Sequence, residues 1–167
     1  MYKRQILVRR FRTADAGVQE AMYRLYLRNT AWINNWDLVD LSAEHIVGGF
    51  LFSRSRAPLR RLARSRLLWE RRIALLATFH FIRRGQFDDT FRLVESLLGD
   101  REPLIHKAMG WMLREIGKRD QGREEAFLRK HLPALPRTTL RYAIERFPPD
   151  LRLAYMTGTQ DGRTPIP

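Results

Sequence analysis

Apolar residues recur at three- and four-residue spacing along nearly the whole chain. One run comprises Leu67, Leu68, Ile73, Leu75, Leu76 and Phe79, and the next Phe87, Phe91, Val94, Leu97 and Leu98. This period places apolar side chains on one face of an α-helix. No convincing strand is found, so an all-α protein is expected. Breaks are predicted at Gly48-Gly49, Ser53 to Pro58, Gly85, Gly99 to Pro103, Gly117 to Gly122, Pro133 to Pro136 and Pro148-Pro149.

The helices between these breaks keep a coarse register. Segments opening near Asn35, Leu68, Pro103 and Pro136 are separated by 33, 35 and 33 residues, with a shorter helix in most of the intervals. Such spacing predicts stacked helix pairs, an α-solenoid of the HEAT-like kind with a concave basic face, although any bundle of regular helices can give similar intervals. On that register Asp40, Arg72, Lys107 and Arg141 fall at similar depths of successive lining helices, 32, 35 and 34 residues apart. One carboxylate then stands in a row of cations. Arg71 and Arg72 open their helix, where a cation opposes the positive end of the helix dipole and a bound phosphate would relieve the repulsion.

Charge changes the picture next. The 167 residues carry 31 Lys and Arg against 18 Asp and Glu, a net +13, and only Lys3, Lys107, Lys118 and Lys130 among the basic residues are Lys. Guanidinium groups bind phosphate bidentately and a strong positive field speeds encounter with nucleic acid, so a polyanionic partner is expected. A codon bias that replaces Lys by Arg would give the same count. The absence of Cys excludes disulfides, thiolate zinc sites and a cysteine nucleophile. There is no 18-residue apolar run, and Ile6-Leu7-Val8 is too short for a signal sequence, so a cytoplasmic protein without membrane contact is expected. His45, His80, His106 and His131 lack metal-ligand spacing, and no Gly-rich phosphate loop is present, so neither metal nor cofactor is expected.

Three separated segments carry candidate chemistry: Asn34-Asn35-Trp36-Asp37-Leu38-Val39-Asp40, Trp69-Glu70-Arg71-Arg72, and Gly110-Trp111-Met112-Leu113-Arg114-Glu115. Trp36 and Asp40, four apart on a predicted helix, project from one face. At these segments, in this order, the chain resembles the AlkD family of alkylpurine DNA glycosylases, over roughly Ile6 to Met156. The resemblance implies a HEAT-like solenoid with duplex DNA in its groove and excision of 3-methyladenine and 7-methylguanine, with no deep pocket for a flipped base and no obligate protein partner. It also implies roles: Trp36 and Trp111 as the two indoles of the site, Asp40 as the catalytic carboxylate, Arg72 as a phosphate-binding residue, and Arg114 as a further match in the same motif. With Arg71, Lys107 and Arg141 from the helix register, these make the expected DNA-binding set.

The residue types suit the reaction. A purine alkylated at a ring nitrogen is already cationic and departs as a neutral molecule, so the enzyme need not protonate it. As the glycosidic bond breaks, positive charge moves to the sugar, where a fixed carboxylate stabilises it and orients water. A cation over an indole adds about 0.5 to 2 kcal/mol.

Other readings of the same residues stand beside this one. Trp36, Trp111 and Trp69 could be core residues, most plainly Trp69, while Trp32 is open. Asp40 could simply pair with Arg, and Asp37 and Glu44 read as caps or surface charges. A non-catalytic HEAT-like module that binds nucleic acid or an acidic protein would use the same basic face. Members of the family extend further at the N-terminus, so residues 6–156 are expected to form a partial domain lacking N-terminal repeats. Met1 to Gln5 are expected to be a non-native leader, and residues 157–167 a disordered tail.

Overall fold

The computed structural model describes the backbone of residues 2–160 and 164–165 and the side chains of residues 6–158. It is helical, apart from an antiparallel pairing of Thr159–Gln160 with Thr164–Pro165. That pairing falls in the segment expected to be a disordered tail, of which residues 161–163 and 166–167 lie outside the described residues. At the other end, Met1 lies outside them too, and the helix backbone begins at Tyr2, within the expected leader.

The chain forms two compact units, residues 1–93 and 94–167. The first contains α1 (Tyr2–Thr13), α2 (Ala16–Arg28), α3 (Trp36–Asp40), a π-helical segment (Ala43–Gly48) that continues into α4 (Gly49–Leu51), α5 (Ala57–Ala63), α6 (Leu68–Ala77) and α7 (Phe79–Ile82). Helix α8 (Asp88–Ser96) spans the change of unit. The second unit holds α9 (Pro103–Gly117), α10 (Gln121–His131), α11 (Arg137–Ala143) and α12 (Pro149–Thr157).

The four segment openings that set the sequence register are all helix starts. Asn35 caps α3, with its side-chain oxygen accepting from the Asp37 amide at 3.1 Å, α6 begins at Leu68, Pro103 is the first residue of α9, and Pro136 caps α11. These signals are local, which is why the sequence alone locates them.

Gly48-Gly49, predicted as a break, lies inside continuous helix. A Cβ at Gly48 would fall on the Ala77 carbonyl oxygen and within 2.8 Å of the His80 Cβ. The glycine therefore lets this segment lie against the end of α6 and the start of α7, and its function is close approach rather than chain reversal. Gly85 is a true turn, with φ +73, three residues past the end of α7.

The core of the first unit is built from Val39, Ile46, Val47, Leu59, Ile73, Leu75 and Phe81, all almost fully enclosed. In the second unit Ile105, Met109, Met112, Leu113 and Ile116 of α9 form the buried stripe. Helix α11 packs on α9 backbone to backbone: a Cβ on Gly110 would lie 2.5 Å from the Thr139 carbonyl oxygen and 2.5 Å from the Tyr142 Cβ. The Thr139 hydroxyl donates to the His106 carbonyl at 3.1 Å across the same contact.

Candidate functional site

Helix α3 is only five residues long, so its position depends on its ends and its neighbours. Asn35 fixes its start, and Val39 anchors it in the core. Asp40, its last residue, meets α6: Arg72 Nε donates to Asp40 Oδ1 at 2.8 Å and Arg72 Nη2 donates to Oδ2 at 2.7 Å. This is a two-pronged guanidinium–carboxylate pair, the geometry that holds a carboxylate most rigidly. Both side chains are largely withdrawn from water, with 7 % of the Arg72 side chain and 14 % of the Asp40 side chain exposed.

Arg72 therefore does not occupy the open, phosphate-facing position that its place in a row of cations suggested. It clasps the carboxylate 32 positions before it in the chain. A desolvated carboxylate without a partner would be costly, and the ion pair makes burial of Asp40 tolerable.

The surroundings of Asp40 include groups that the sequence pattern did not single out. Ser42, two residues on, donates through its hydroxyl to the Leu38 carbonyl and lies 3.0 Å from the Tyr26 hydroxyl. Burial pushes the Tyr26 phenol up to about 12; the Ser42 hydrogen bond opposes this and the Asp40 charge adds to it. On the α6 side, the Thr30 hydroxyl donates to Glu70 Oε1 at 2.5 Å, tying the 3-10 turn Thr30–Trp32 to the turn of helix that carries Arg72.

Two indoles of this unit are unusually open: Trp32 is 81 % exposed and Trp36 is 54 % exposed. Trp36 follows its cap Asn35, on the helix that ends in Asp40, and Trp32 closes the turn held by Glu70. Large exposed aromatic side chains are uneconomical in a core and suit contact with a ligand. Trp69 is half-buried, which corrects the reading of it as a core residue.

The remaining expected residues distribute as follows. Arg71 donates from Nη1 to the Ser65 and Arg66 carbonyls, both at 3.0 Å, and so ties down the loop before α6. Trp111, half-buried, lies on α9 with Lys107 and Arg114 in the second unit. Arg114 is ion-paired with Glu145, and its Nε is buried without a hydrogen-bond partner. Lys107 and Arg141 are exposed, and among the described residues neither makes an ion pair or a side-chain hydrogen bond. Of the expected set, then, the structure joins Asp40 to Arg72, with Trp36 on the same short helix as Asp40, while Lys107, Trp111, Arg114 and Arg141 belong to the other unit.

Glu44 is also corrected: it is buried rather than a cap or a surface charge, and it pairs with Arg83 Nε at 3.1 Å. No group of His, Asp and Glu among the described residues is arranged to hold a metal ion. No helix there is long and apolar enough to cross a membrane.

The protein is thus largely helical and basic, and it sets a carboxylate against an arginine on a short helix that also carries an exposed indole. The family follows from comparison with known proteins: residues 5–147 match the model of the DNA alkylation repair enzymes, and the chain belongs to that family. No curated protein and no solved structure matches it.

Proposed function

We propose that this DNA alkylation repair enzyme is a glycosylase that hydrolyses the N-glycosidic bond of cationic alkylated purines, 3-methyladenine and 7-methylguanine, in duplex DNA. The observation that carries the reading is the Asp40–Arg72 pair, a rigidly held carboxylate that keeps a small exposed edge, on the short helix that also carries the open indole of Trp36. Breaking the bond sends its electron pair to the base, which leaves neutral, while C1′ of the sugar becomes positive. Asp40 faces that developing charge and orients the water that adds to C1′ and then loses its proton.

A charge pair at about 4 Å in an effective dielectric near 20 is worth roughly 4 kcal/mol, about a thousandfold in rate where it exists only in the transition state. Arg72 offsets part of that attraction. In return it fixes the carboxylate before substrate arrives, so no reorganisation is required during the reaction. Arg72 is thus a positioning residue in this reading. Trp36 and Trp111 hold the lesion by cation–π contact, and the exposed Lys107 and Arg141 are the better candidates for phosphate. The helix pairs whose starts keep the 33- to 35-residue register form HEAT-like repeats with DNA along a basic concave face.

The same ion pair also suits a second reading, a non-catalytic DNA-binding module in which Asp40 serves only to neutralise Arg72. Release of free 7-methylguanine from methylated duplex DNA under single-turnover conditions separates the two. Release by the parent protein that Asp40→Asn abolishes, with helicity and DNA affinity retained, supports the glycosylase. No release by the folded, DNA-binding parent favours the module.

A further inference from the structure

On the first unit, apart from the Asp40 site, Arg12, Glu44, His45, His80, Arg83 and Arg84 surround a single cavity of about 590 Å³. That volume lies within the usual range of ligand sites. These six residues come from four segments: Arg12 lies in the last turn of α1, Glu44 and His45 lie on the π-helical segment, His80 lies on α7, and Arg83 and Arg84 follow it. Glu44 is the one carboxylate of the lining, and Arg83 already engages it at 3.1 Å. Two guanidinium charges remain uncompensated. Arg84 is fixed by donating to the His80 carbonyl at 2.8 Å and by lying 5.0 Å from the centre of the Phe52 ring. Arg12 makes no ion pair or side-chain hydrogen bond among the described residues.

Both imidazoles also lack a hydrogen-bond partner among the described protein groups. They line the same space as ring nitrogens available to a ligand. We propose that this cavity binds a phosphate group, gripped by Arg12 and Arg84 with the His45 and His80 rings as additional donors. Phosphate suits it better than a carboxylate, because four donor groups arrayed around one space can be used together only by a tetrahedral anion with several acceptor oxygens.

The electrostatics give the site a signature. Burial holds His80 down to about 4, with Arg84, His45, Arg56 and Arg83 adding to the effect. Burial also lowers His45, Glu44 opposes this, and Arg12 and Arg83 reinforce it. A bound dianion reverses the sign of that field, so both rings take up protons and donate to it. Binding therefore tightens as pH falls, by up to about tenfold per pH unit for each proton taken up, over the range between the bound and free imidazole midpoints.

The test is an NMR titration of the four His ring resonances with inorganic pyrophosphate. His106 and His131, bonded to the Asp100 carbonyl and to Glu95, serve as internal controls. The expected result is movement of His45 and His80 alone, a His80 midpoint raised by about one pH unit or more, and loss of both effects in Arg12→Glu. Because Arg12 is exposed and not tied into the fold, the control resonances stay in place in that variant; Arg12→Gln serves as a milder version. No movement of His45 and His80, or equal movement of all four rings that survives Arg12→Glu, overturns the proposal. An unmodified duplex in the second arm identifies the source of the phosphate: a response to duplex points to the DNA backbone, and a response confined to pyrophosphate points to a small phosphorylated molecule.

Discussion

Asp40 in the first unit and Glu124 in the second are both carboxylates withdrawn from water, but only Asp40 accepts two hydrogen bonds from a guanidinium. Glu124 is 1 % exposed, its carboxyl rests against the Gly117 backbone, and its Oε1 has no hydrogen-bond partner. Burial drives the Glu124 carboxyl up to about 8; Glu125 reinforces the shift and Arg114 opposes it. Burial, reinforced by Glu125, thus favours the neutral acid here. A carboxylate intended to face a cation needs a partner in fork geometry, and that is what distinguishes Asp40.

The sharpest way to break the comparison is to remove the partner. Arg72→Met should leave Asp40 buried and unpaired and cost about 3–5 kcal/mol, measured as loss of stability in urea. Arg72→Lys should recover only part of this, because an ammonium cannot bond both oxygens in the same fork. Combining Arg72→Met with Asp40→Asn should restore stability without restoring base release. If Arg72→Met folds as stably as the parent, Asp40 is not held in the way described.

Glu124 makes stability depend on pH. Its midpoint is raised in the folded state, so the unfolded chain releases its proton first. Stability is full below the unfolded midpoint near 4.5 and is lost as pH rises toward about 8, by on the order of 5 kcal/mol. Urea melts of Glu124→Gln across that range should lose most of this slope. An unchanged slope would place the titration elsewhere.

Two smaller effects sharpen the contrast between the units. In the second, α9 and α11 touch through backbone, so Gly110→Ala should overpack the contact and cost about 1–3 kcal/mol in thermal or urea unfolding. In the first, α3 is short and depends on its cap, so Asn35→Ala should cost about 1 kcal/mol. The same variant should slow base release by more than the stability loss accounts for, because it loosens the helix that presents Trp36 and Asp40. Equal retention of stability and rate would show that the cap does not position the site.

The candidate site was legible in part. Trp36 and Asp40 stand out because their four-residue spacing lies within one element, the short helix α3, on which Trp36 is exposed. The fate of Arg72 was not legible. A basic residue in a row of basic residues reads as a phosphate contact, and only docking of α3 on α6 turns it toward Asp40. The contacts of Arg71 were not legible either, since its carbonyl acceptors belong to an irregular loop that no periodicity describes. Trp32 was left open by the sequence; it is 81 % exposed, on a turn that a hydrogen bond ties to Glu70 across 40 residues.

What the sequence determined by itself is the helical character and the openings at Asn35, Leu68, Pro103 and Pro136. Caps, prolines and the apolar period act within a turn or two of the chain, so their consequences can be read locally. Tertiary structure alone decided which charges meet. Asp40 with Arg72, Arg83 with Glu44, and Arg114 with Glu145 each join residues more than thirty positions apart. It also made Gly48 a contact point instead of a break, and Gly110 the point where α11 meets α9. In a chain with 27 Arg, composition supplies a surplus of possible partners for every carboxylate, and only the packing of one helix on another selects among them.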